Sequence, residues 1–75
     1  MLTAADLAAR AAPLLTRRGR RVPAADVAWV AERALQQRAA EHPELRHLDA
    51  AARRAVWQSW ADDLAAAVAY RAAAL

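Results

Sequence analysis

The sequence contains no cysteine, isoleucine, phenylalanine, lysine or asparagine, and only one glycine, one serine and two threonines among its 75 residues. Each absence removes a class of protein. Without cysteine there is no disulfide framework, no thiolate metal site and no redox motif. Without runs of β-branched and aromatic residues, and with almost no turn chemistry, a sheet protein is excluded. One glycine cannot build a phosphate-cradling loop.

What is present is alanine, 25 residues or one third of the chain, with 11 arginines against 8 acids for a formal charge of +3. The larger apolar residues are nine Leu, five Val, three Trp, one Tyr and one Met. That is too apolar and too periodic for a disordered tail. A chain this short is one domain, and it buries only about 60% of the surface its unfolded form exposes. Alanine adds little to a core, so a second copy is expected to complete it, giving a homodimer. Arginine in place of lysine, with so much alanine, matches a GC-rich bacterial or phage genome. Met1 to Asp6 lacks a basic leader region, and the alanine-rich end carries Asp62, Asp63 and Arg71. The expectation is a soluble, cytoplasmic protein with no membrane contact.

The periodicity predicts an all-α fold, a small antiparallel three-helix bundle with a long last helix. The first helix covers residues 4–18. Thr3 is its N-cap, Asp6 closes a capping box, and Leu7, Ala11 and Leu14 form the inner stripe with Ala4 and Leu15 at its edge. Pro13 should kink or break it near Ala12. Gly19 stands where a helix stops, and Pro23 where the next begins. The second helix covers 24–41, with Val27, Val30, Ala31, Ala34 and Arg38 on one face and Leu35 beside it. His42-Pro43 interrupts the pattern, Pro43 to His47 can form one turn, and Asp49 caps a third helix over 50–74. Trp57, Trp60, Leu64 and Val68 define the core stripe of that helix, with Ala61, Ala67 and Leu75 alongside. Tyr70 falls near its polar side. Leu2 to Ala8 echoes Val22 to Ala28 at a spacing of 20 residues, which reads as two helix starts and not as a repeat architecture.

Two features stand outside this frame. Trp29 lies opposite the inner stripe of the second helix, four residues before Arg33, a spacing that allows a cation–π pair. Either the helix is buried on two sides, or Trp29 and Arg33 anchor a protein interface, where both residue types are enriched. Arg17, Arg18, Arg20 and Arg21 surround Gly19 and suit an anionic partner, because guanidinium pairs bidentately with phosphate and carboxylate. Arg38, Arg53 and Arg71 point towards apolar stripes, with Asp26, Glu41 or Asp63 as possible counterions.

Other chemistry is thin. Glu44-x-x-His47 has the form of half a di-metal site, but Pro43 interrupts its helix and no second-helix carboxylate joins it. Ser59 has no histidine within helical reach, and Asp62 and Asp63 are adjacent and diverge. No enzyme, metal or cofactor is therefore expected. A helix-turn-helix needs a shorter turn than the Gly19 segment. The reading that results is a non-enzymatic protein–protein interaction module, an adaptor, inhibitor or regulator, with Trp29 and Arg33 at its contact. The alternative is a small nucleic-acid-binding regulator that lays Arg17 to Arg21 on phosphates.

Overall fold

Thr3 and Asp6 start the first helix by exchanging hydrogen bonds. The main-chain N–H of Asp6 donates to the Thr3 hydroxyl at 3.1 Å, and that of Thr3 donates to Asp6 Oδ2 at 3.0 Å. Leu2 on one side of this box and Leu7 on the other are both buried, which clamps the entering chain against the first turn. Leu2 is a core residue that helical periodicity does not reach, since it precedes the helix.

In the computed structural model, which describes residues 1–75, α1 spans Ala4–Arg17, α2 spans Ala24–Glu41 and α3 spans Ala50–Ala73. A single 3-10 turn, Pro43–His47, lies between the last two. The fold is the expected all-α three-helix bundle. No strand is present, and no helix is long and apolar enough to cross a membrane. Each helix end lies within a residue of its expected place.

The expected break at Pro13 does not occur: α1 is helical without interruption from Ala4 to Arg17. Pro13 removes the N–H that would bond the Ala9 carbonyl. Ala9 and Pro13 are both on the exposed side of α1, so water can serve that carbonyl. The inner stripe is also rotated slightly from the expected one. Leu7, Ala11 and Leu15 are buried, and Leu14 is only half-buried.

At Gly19 the chain takes φ +66. The Gly19 N–H reaches the Thr16 carbonyl and the Arg20 N–H reaches the Leu15 carbonyl, both at 3.0 Å, which is the full Schellman closure of α1. The second helix start copies the first in sequence but not in chemistry. Pro23 holds the N-cap position without a side-chain acceptor, so no capping box forms with Asp26.

Leu7, Ala11 and Leu15 of α1, Val27, Val30, Ala31 and Ala34 of α2, and seven residues of α3 join Leu2 and Leu45 in one buried cluster. On α3 these are Trp57, Ala61, Leu64, Ala65, Val68, Ala69 and Ala72. Alanines at the seam let the helices approach closely, so one chain closes its own core. The core therefore does not need the second copy that the composition led us to expect. Leu75, expected beside the stripe, is exposed, because α3 ends at Ala73.

Contacts along the helices fix their directions. Arg10 meets Asp62, and Arg18 meets Tyr70, so α1 and α3 run parallel. The chain between them, α2, runs the other way. One end of the bundle thus holds the α1–α2 loop together with the C-terminus of α3. The other holds both the N-terminus of α3 and the Pro43–His47 turn.

Candidate functional site

Trp29 projects from the side of α2 opposite its buried stripe and is 55% exposed. The alternative in which a second buried face of α2 covers it does not hold. The Arg33 guanidinium carbon lies 4.9 Å from the Trp29 ring centroid, the cation–π pair that the four-residue spacing allows. Stacking fixes the ring and the cation against each other, which lowers the entropy cost of presenting both to a partner.

Beside this pair, Arg33, Gln36, Gln37 and Arg71 line a surface cleft of about 380 Å³. Arg71 reaches across from α3 and donates to Gln37 Oε1 at 3.2 Å. No carboxylate lines the cleft, so its two guanidinium groups face solvent without a counterion. The site as built is a flat apolar ring bordered by fixed hydrogen-bond donors.

The arginines around Gly19 have separate roles. Arg20 donates to the main-chain carbonyl of Ala73 and so caps the C-terminus of α3. Arg18 sits over the Tyr70 ring at 5.9 Å. Arg17 and Arg21 are exposed and join no ion pair. All four stand at one end of the bundle, apart from the cleft on α2.

The remaining arginines do not take the expected counterions. Arg38 lies over the Trp60 ring at 4.9 Å, Arg53 donates to the Leu48 carbonyl at 3.0 Å, and Arg71 uses Gln37. The arginine–carboxylate pair that does form is Arg10 with Asp62 at 3.3 Å, with the Asp62 carboxylate almost wholly exposed. Such a pair contributes less than about 1 kcal/mol. Helical spacing within one chain segment cannot reveal these cross-helix contacts.

At the opposite end Trp57 is buried and packs edge-to-face on half-buried Trp60, with centroids 5.2 Å apart. The His42 ring lies against Trp60 at 4.7 Å, and its Nδ1 pairs with Glu44 at 2.9 Å. Glu44 is held below the usual carboxylate range, first by its own main-chain N–H and then by His42. Glu44 is thus engaged with His42, and no cluster of three or more His, Asp or Glu side chains is close enough to hold a metal.

The serine and threonine hydroxyls are likewise engaged. Thr3 serves the cap, Thr16 donates to the Ala12 carbonyl, and Ser59 donates to the Val56 carbonyl. None is hydrogen-bonded to a side-chain base.

One surface feature was not legible in the sequence. An open apolar groove of about 670 Å³ runs between α1 and α2, floored by Ala8, Ala12 and Val27 and rimmed by Arg20 and Arg21. Comparison of the chain with protein-family models, with curated proteins and with solved structures finds no match.

Proposed function

We propose that the protein is a non-enzymatic helical interaction module that binds another protein through the Trp29–Arg33 face of α2. The observation that carries this reading is an exposed tryptophan, pre-ordered by a stacked guanidinium, beside a polar cleft with no carboxylate. A large exposed ring does nothing for the core, which closes without it. Burial of that ring in a partner, inside a border of arginine and glutamine donors, is the arrangement of an interface hot spot. The two uncompensated guanidinium groups favour a partner that presents carboxylates around an apolar pocket. A second copy of this chain is the first partner to test.

The experiment compares the intact protein with Trp29→Ala and Arg33→Ala in two assays. Light scattering over a concentration series reads self-association, and affinity capture from the native source reads other partners. A dimer that Trp29→Ala converts to monomer makes the interface homotypic. A captured protein lost by Trp29→Ala, and retained by Ser59→Ala on the far side of α3, makes it heterotypic. If Trp29→Ala alters neither, the reading fails.

A further inference from the structure

The bundle carries its excess charge at one end. The α1–α2 loop end, residues 17–26, holds Arg17, Arg18, Arg20 and Arg21 against one acid, Asp26, while Arg33 and Arg71 belong to the Trp29 cleft. The rest of the chain holds seven arginines and seven acids. Asp26 lines one surface hollow with Arg20 and Arg21 but forms an ion pair with neither. The whole formal excess of +3 therefore lies at the loop end.

That end also carries Tyr70, 68% exposed, with Arg18 over its ring. Tyr70 and Arg71 are consecutive on α3 and diverge. Arg71 turns to Gln37 of α2, and Tyr70 turns to the end of α1. The Tyr70 surface is therefore distinct from the Trp29 cleft. The bond from Arg20 to the Ala73 carbonyl fastens the loop to α3, and Arg18 is the arginine that lies over the ring.

We infer that this end binds single-stranded nucleic acid, with a base stacked on Tyr70 and the backbone phosphates on the arginines around Gly19. The chemistry favours this ligand for three reasons. Arginines without counterions recognise phosphate, and they do so bidentately. An exposed ring flanked by guanidinium is the platform on which unpaired bases stack whatever their sequence. A duplex would leave the ring unused, since its bases already stack on one another, and this end offers a loop and helix termini, not a helix side that fits a groove. The inference does not rest on the protein contact at Trp29, and each can fail alone.

The test is fluorescence anisotropy of a labelled oligothymidylate, about ten nucleotides long to cover a site of the usual size. Binding is expected at low salt. Four phosphate contacts give a salt slope near −2.8, so affinity should fall about 50-fold between ~50 and ~200 mM salt. Tyr70→Ala should weaken binding about tenfold, and Tyr70→Phe should retain it, because the stack needs the ring and not the hydroxyl. The Arg17→Ala, Arg21→Ala double variant should reduce the slope by about 1.4. These positions are exposed, so the variants keep the core intact.

Absence of binding at low salt overturns the inference. So does equal competition by polyglutamate, which would identify an acidic protein as the ligand. An unchanged affinity for Tyr70→Ala leaves only charge and overturns the stack. A loss with Trp29→Ala as large as with Tyr70→Ala would move the stacked base to α2 and overturn the assignment to this end.

Discussion

The guanidinium of Arg20 donates to the main-chain carbonyl of Ala73, joining positions 53 residues apart in the chain. The carbonyls of the last turn of a helix have no partner within it, and a cation there also meets the negative end of the dipole. Arg20 is thus a tie between the loop and the longest helix as well as a member of the cationic cluster.

Removing that tie gives the first prediction. Arg20→Ala should cost about 1 kcal/mol, the net worth of one hydrogen bond from a charged donor at an exposed site. The loss should be local as well as global. Amide exchange should accelerate in the last turn of α3, while the amides around Trp57 change only by the global amount. Uniform acceleration along α3, with no excess near Ala73, would show that the tie does not hold the helix end.

Pro13 gives a prediction of opposite sign. It is exposed in an unbroken helix, and its ring removes one main-chain hydrogen bond. Pro13→Ala restores the donor to the Ala9 carbonyl and puts the best helix former at an open position. An interior proline costs up to about 3 kcal/mol relative to alanine, so the variant should be more stable by about 1–3 kcal/mol. Proline also restricts the unfolded chain, which places the gain towards the lower figure. Urea denaturation checks it, and a lower midpoint would mean that Pro13 aids the curvature of α1.

How far the sequence specified this structure follows from what each signal encodes. Helix positions were legible because Thr3, Gly19, Pro23, Pro43 and Asp49 mark ends by chemistry local to each. The outward position of Trp29 was legible too, because it depends only on angle along α2. Its exposure was not, since a neighbouring helix was free to cover it. The partners of Arg20, Arg38 and Arg71 were hidden for the same reason: each lies on another element. Pro13 misled because breaking a helix depends on whether the orphaned carbonyl meets water. Leu2 was missed because it packs by clamping the capping box and not by periodicity.

The capping box carries a pH dependence. Asp6 is held below the usual carboxylate range, first by the main-chain N–H of Thr3 and then by the Thr3 side chain. A carboxyl whose folded pKa is depressed stabilises the fold above its unfolded pKa, and that stability is lost as pH falls through the folded value. The window is therefore acidic, from the ordinary aspartate range downwards. Asp6→Asn should flatten the stability–pH curve there and leave the neutral-to-alkaline limb unchanged in shape. Thr3→Ala should lower stability by about 1 kcal/mol at neutral pH and reduce the same acidic slope. Denaturant midpoints measured across acidic pH decide it. An Asp6→Asn curve parallel to that of the intact protein would place the acid sensitivity elsewhere, with Glu44 as the other depressed carboxyl.

Trp29 and Trp57 separate surface from core by direct measurement. Trp57 is 5% exposed and packs on Trp60, so Trp57→Ala opens a cavity that should cost about 3–5 kcal/mol. A domain of this size has only about 5–10 kcal/mol in total, so that variant should lose a large share of its stability and unfold at a much lower denaturant midpoint. Trp29→Ala loses the stack with Arg33, about 0.5–1 kcal/mol at an exposed site. Iodide should quench the intact protein strongly and Trp29→Ala weakly, because the remaining indoles are buried or clad by His42 and Arg38. A double-mutant cycle over Trp29 and Arg33 should return the stack as its coupling energy. If Trp29→Ala instead matches Trp57→Ala in cost, the ring belongs to the core and its role as an interface anchor ends. If it costs what the stack alone costs, folding gives no reason for a tryptophan at position 29, and the reason must lie in what the surface touches.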